Sequence, residues 1–114
     1  MTNSNNDILS MSLTDMASAI RRREVSAMRI VETHIEALMA PNALVNAVVA
    51  TSFRQANEDT KRIDGMLATG VAKLDLPPLL GVPFTVKEFF AVRGMPHTAG
   101  SLHRRGVFAD EDST

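Results

Sequence analysis

The sequence predicts an α/β fold in which a mixed sheet is covered by helices. Two short β-rich runs, "VNAVVAT" at 45–51 and "VPFTVK" at 82–87, flank a segment of helical periodicity, so strand, helix and strand alternate. In the second run apolar residues fill more than alternate positions, the pattern of a strand covered on both faces.

The elements follow in order. Residues 1–11, "MTNSNNDILSM", are rich in Asn and Ser with little to bury, which predicts a disordered N-terminal arm. Ser12 then caps a first helix carrying the stripe Leu13, Met16, Ala17 and Ile20, with Asp15 as a variant of the capping box. Arg21, Arg22 and Arg23 fall at its end, where cations complement exposed carbonyls. Ser26 caps a second helix with a seam of Met28, Val31, Ile35 and Leu38 that stops before Pro41, and the two helices are expected to pack as a hairpin. Ser52 caps a third, with Phe53, Ala56, Thr60, Ile63 and Leu67 facing the core and Gly70 at its C′ position. Residues 71–81, with Pro77 and Pro78, read as an extended connector. Strand 82–87 follows, then a turn at "RGMP" and the glycine-containing "HTAGS".

Composition narrows the function classes. At 45% apolar and 22% charged residues, with 114 in all, the chain matches one small globular domain. Twelve basic against thirteen acidic side chains leave a net charge of −1, which argues against a nucleic-acid partner. No apolar run reaches the roughly 18 residues that cross a bilayer, and no secretory signal is visible, so the expectation is a cytoplasmic protein without a membrane partner. Zero cysteines exclude disulfides and thiolate metal sites.

Chemistry-bearing groups are few. His34, His97 and His103 sit on separate elements without metal-ligand spacing, so neither metal nor cofactor is expected. Thr85, Thr98, Ser101, Ser113 and Thr114 lie in no nucleophile-elbow pattern. Lys87 stands out, because an ammonium resists leaving water: within a buried strand it either snorkels to the surface or works in its neutral form. The residues alone leave both readings open.

The run "PPLLGVPFTVKEFFAVRGMPHTAGS", residues 77–101, resembles the segment of amidase signature enzymes that reads Gly-Val-Pro, apolar residues, Val-Lys-Asp, a turn and Thr-Ala-Gly-Ser. "VNAVVAT" is similar to that family's Asn-Ala-Phe-Val strand, and "LTDMASAIRRREVSAMRIVETHIEAL" to its N-terminal helix pair. The resemblance implies that residues 12–114 are the N-terminal portion of an amidase domain, incomplete in this chain. It also implies that Lys87 is the lysine of a Ser-cisSer-Lys group, which cleaves carboxamide C–N bonds through an acyl-serine. A lysine acting as base must be neutral near pH 7, about three units below its reference pKa of about 10.4, or roughly 4 kcal/mol of desolvation and positioning. Phe84, Val86, Phe89 and Phe90 are the apolar neighbours expected to supply it.

Glu88 stands where the family usually has Asp, and Phe89 and Phe90 where many members have a polar residue. The Gly/Ser-rich stretch bearing both serines is expected beyond Thr114, so the 114 residues by themselves are expected to be inactive. The expected partner is a small-molecule amide, and a homodimer is compatible with the sequence. Two other functions fit: an amidotransferase subunit, which passes ammonia to an acyl acceptor, and a non-catalytic helical adaptor or regulator using Met-containing faces, given seven methionines.

Overall fold

A computed structural model describes residues 4–70 and 75–114. The chain divides into two compact units, Met1–Pro83 and Phe84–Thr114. Among the described residues, five α-helices lie in the first unit: α1 (Asn5–Ser10), α2 (Leu13–Arg21), α3 (Ala27–Met39), α4 (Asn42–Val45) and α5 (Phe53–Ala68).

The arm expected over 1–11 is corrected. Residues 1–3 lie outside the described residues, but Ser4 opens α1 with a full capping box: its hydroxyl accepts from the Asp7 N–H, and the Asp7 carboxylate accepts from the Ser4 N–H. A six-residue helix is too short to persist alone, and what holds it is tertiary, since Ile8 is fully buried in the core. Its face toward α3 is also tied by the Arg29 guanidinium, which donates to the Asn5 side chain.

Helix α2 begins as expected, with the Ser12 hydroxyl accepting from the Asp15 N–H at 3.1 Å. Its end is a Schellman motif. The N–H of Arg23 donates to Ile20 O at 2.9 Å and that of Glu24 to Ala19 O at 3.0 Å, which places Arg23 at a φ of 58°. Arg22 pairs with Glu24 at 2.7 Å, and Arg21 donates to Pro77 O at 2.7 Å, so one of the three arginines serves the helix end and another ties it to a distant part of the chain.

Helix α3 buries Ala27, Ile30, Val31 and Thr33, whereas Met28, Ile35 and Leu38 are only half-buried. The stripe is rotated from the expected seam because α3 packs chiefly on α5 and α1 rather than forming a hairpin with α2. Helix α2 reaches the same core through Met16, Ala19 and Ile20. All three free N–H groups of α3's first turn have side-chain acceptors. Ser26 Oγ takes Arg29 N–H at 3.0 Å, while the carboxylate of Asp64, on α5, takes Ala27 N–H at 2.8 Å and Met28 N–H at 3.0 Å. Asp64→Ala therefore costs about 1–2 kcal/mol, read as a lower urea midpoint by circular dichroism; an unchanged midpoint would show that water replaces the carboxylate at no cost.

Helix α5 has the expected face, with Thr60, Ile63 and Leu67 buried and Gly70 following at a φ of 78°. Ser52 precedes it without accepting a capping hydrogen bond. The connector expected to be extended instead turns twice: Leu80 N–H donates to Pro77 O and Val82 N–H to Leu79 O. Residues 71–74 of that connector lie outside the described residues. Leu76 completes the core, and Leu80 and Val82 pack on it. Gly81 passes so close to α3 that an added Cβ would lie 2.9 Å from Ala27 Cβ.

The described residues contain no β-strand; bridges join only Arg93 with Ala109 and Pro96 with Phe108. In the expected strand 45–51, Val45 ends α4 and Asn46 is left-handed at a φ of 46°. Val48 then finds a side-chain partner, its N–H donating to the Asn42 carboxamide oxygen at 2.9 Å and its C=O accepting from the amide nitrogen at 3.1 Å. Residues 82–87 likewise have no ladder partner among the described residues. A strand requires a second backbone to pair with, and periodicity reports burial without saying which backbone that is.

The second unit is held by hydrogen bonds more than by a core. Gly94 N–H donates to Ala109 O at 2.8 Å, Ala109 N–H to Met95 O at 3.0 Å and His97 N–H to Val107 O at 2.9 Å. Arg93 and Ala91 N–H groups donate to the side chains of Asp112 and Ser113. Ala109 is its one buried hydrophobic residue.

Candidate active-site segment

Lys87 is not the middle of a strand. It opens a four-residue turn, Lys87 to Phe90, closed by Phe90 N–H donating to Lys87 O at 2.9 Å. The lysine is exposed, and so are the side chains expected to desolvate it: Phe84 is 83% and Phe89 61% exposed, with Val86 and Phe90 also open. Phe89 and Phe90 meet edge to face, ring centroids 5.6 Å apart. Burial of Lys87 is thus not supplied by the residues next to it in sequence. None of the ion pairs or side-chain hydrogen bonds among the described residues involves Lys87, and Thr85, Thr98, Ser101 and Ser113 are not joined to it.

The residue that sequence reasoning treated only as a departure from Asp, Glu88, organises the segment. Its carboxylate accepts from the Thr98 N–H and, at 2.8 Å, from the Ala99 N–H. Those amides open a second tight turn, in which Ser101 N–H donates to Thr98 O at 3.0 Å and both central residues have positive φ, 50° at Ala99 and 73° at Gly100. Thr98 Oγ1 also accepts from Gly100 N–H. His97 adds a further tie, its Nε2 donating to Phe89 O at 3.0 Å, and the Arg104 guanidinium donates to His97 O. An acidic residue ten positions before a Thr-Ala-Gly turn was the available signal, since a turn with left-handed residues presents adjacent N–H groups to an anion.

The Thr98 N–H is the main reason that the Glu88 carboxyl sits below its ordinary value of 4.5; the Thr98 hydroxyl, Ala99 N–H and charge of His97 add to it, while partial burial opposes them. A depressed carboxylate pKa stabilises the folded state above the ordinary value, and that contribution is lost as pH falls through the folded one. Hydrogen exchange at Thr98 and Ala99 should therefore be protected at about pH 6 and lose protection only below 4.5. Protection unchanged down to about pH 2 would rule out the carboxylate as the acceptor.

The other candidates resolve locally. His34 Nδ1 donates to Ile30 O at 2.8 Å, one turn back on α3. Among the described residues no three His, Cys, Asp or Glu side chains converge as a metal site, and no helix is long and apolar enough to cross a membrane.

Comparison with known proteins places this segment. A sequence profile for the family described as Amidase matches residues 29–114. The chain belongs to the amidase family. It is 38% identical over 112 residues to fatty-acid amide hydrolase 2-A of Danio rerio, covering 95% of this chain and 21% of that protein. It is 34% identical to fatty-acid amide hydrolase 2 of Homo sapiens over 94% of this chain and 21% of that protein. With a glutamyl-tRNA(Gln) amidotransferase subunit of Acidothermus cellulolyticus the identity is 32%, over 95% of this chain and 21% of the relative. A solved structure described as "An unexpected vestigial protein complex reveals the evolutionary origins of an s-triazine catabolic enzyme" superposes with a TM-score of 0.80 and 29% identity, over 90% of this chain and 22% of that one. The chain therefore has the fold of an amidase-family segment, and it spans about a fifth of the length of the relatives it matches.

Proposed function

We propose that this segment belongs to an amide hydrolase that cleaves a carboxamide C–N bond through an acyl-serine intermediate. Lys87 acts as the base in that reading, taking a proton from a serine supplied by another part of the enzyme. The observation that carries it is the position of Lys87: at the head of a pinned turn, inside the family match, with its ammonium free of any carboxylate among the described residues. A base must be able to lose its proton, and an ion pair would oppose that. The exposed apolar side chains around it suit burial against the remainder of the enzyme, which would supply the desolvation. The same reading has the expected strands 45–51, less Val45, which ends α4, and 82–87 join a mixed sheet whose other strands come from that remainder. It also places the enzyme in the cytoplasm, consistent with a chain free of cysteine.

The acyl group is proposed to be apolar, as in the substrates that name the fatty-acid amide hydrolases. Amidotransferase relatives at similar identity support a second reading, in which released ammonia passes to an acyl acceptor instead of water. The full-length enzyme should release ammonia or amine from a series of fatty and short-chain amides, with an acyl-serine trapped by mass spectrometry. Ammonia release from glutamine, with fatty amides untouched, would select the amidotransferase reading; no turnover of either class would sink both.

A further inference from the structure

We propose that Glu88 is a positioning residue for Lys87, holding the lysine-bearing turn against the Thr98–Ser101 turn so that the amine is presented in one direction; this rests on the proposed role of Lys87 as base. The Lys87–Phe90 turn has two central residues, Glu88 and Phe89, and each is tied to the same neighbouring stretch. Glu88 is tied through its carboxylate to the N–H groups of Thr98 and Ala99, and Phe89 through its carbonyl to His97 Nε2. With the turn's own hydrogen bond from Phe90 to Lys87, the backbone just after Lys87 is restrained at three successive residues.

That restraint has leverage on the chemistry. A lysine amine stands roughly 6 Å from its Cα, so a tilt of about 10° in the turn displaces it by roughly 1 Å, which is outside the tolerance for proton transfer. A displacement of that size costs about 10²-fold in rate. The carboxylate can give this restraint because both of its acceptor oxygens are committed to backbone amides rather than to the lysine beside it. Glu88 therefore constrains Lys87 without pairing to it.

The test compares Glu88→Ala, Glu88→Asp and Lys87→Ala in the full-length enzyme carrying this segment, with kcat and KM measured for one amide and Tm recorded for each variant. Glu88→Ala should lower kcat by about 10²-fold with KM within about threefold and Tm within a few degrees. Glu88→Asp, which keeps the charge and both oxygens, should restore kcat to within about fivefold of the parent. A merely structural role predicts instead a fall in Tm with the kcat of the folded fraction unchanged. Parental kcat in Glu88→Ala, beside a Lys87→Ala variant that is inactive, overturns the positioning role and leaves the base assignment standing. Full activity in Lys87→Ala overturns both. Should Glu88→Ala not fold, Glu88→Gln decides. Its single amide oxygen accepts at two sites poorly, so hydrogen-exchange protection at Thr98 or Ala99 and kcat should fall together; parental values of both refute the proposal.

Discussion

With Lys87 as the proposed base, Lys87→Ala in the full-length enzyme should lower kcat by about 10³-fold and leave Tm close to the parental value. General-base assistance contributes about 10²–10⁴-fold, and a serine hydroxyl without a base is a poor nucleophile, which sets the size of the loss. The small stability effect follows because Lys87 makes no ion pair or side-chain hydrogen bond among the described residues, and burial of its amine against the remainder of the enzyme would cost stability rather than add it. Lys87→Arg should be nearly as damaging. Guanidinium stays protonated and cannot accept the serine proton, although it preserves charge and length. The measurement is amide turnover across pH for parent and both variants, with circular dichroism as the folding control. Near-parental kcat in Lys87→Arg would mean that the side chain is a cation that binds or orients, and the base assignment would fall.

Gly81→Ala destabilises the first unit by about 2–4 kcal/mol, combining a left-handed backbone with overpacking. Gly81 has a φ of 81°, and its Cβ would stand 2.9 Å from Ala27 Cβ and 3.1 Å from Ile20 Cδ1. Neither neighbour can easily give. Ile20 is fully buried, and Ala27 is the first residue of α3, where its N–H is held by Asp64. Gly70 supplies the control, because it has a φ of 78° with nothing within 4 Å of the added carbon. Gly70→Ala should therefore show the strain alone, about 1 kcal/mol. Urea unfolding followed by circular dichroism reads both; equal losses would show that contact with α2 and α3 contributes nothing at Gly81.

The glycine and lysine of "GVPFTVKE" were visible in the sequence for different reasons than the ones the structure provides. Gly81 read as part of a motif, but its requirement for a bare Cα comes from Ala27 and Ile20, more than fifty positions upstream. The run around Lys87 read as a strand covered on both faces because it is mostly apolar, with the lysine either reaching the surface or desolvated, yet Phe84, Val86, Phe89 and Phe90 are all exposed, since adjacency in sequence does not place side chains over one another. Glu88 was the missed residue. Its partners lie ten and eleven positions later, in a Thr-Ala-Gly turn that was legible by itself, but nothing local says that the turn folds back onto Glu88.

What the sequence determined by itself was local: the Ser12 and Ser26 caps, the stripe Thr60, Ile63 and Leu67, the positive φ after α5 at Gly70, and membership of a family through the Lys87 motif. Each depends on residues within about two helical turns or on a contiguous motif, so the information is complete within a short window. Tertiary structure decided the rest. A helix formed at Asn5–Ser10 because Ile8 is buried, and α3 turned Ile30 rather than Ile35 toward the core because α5 and α1 pack there. The segments that read as strands carry no ladder among the described residues, because pairing needs a partner backbone that periodicity cannot name.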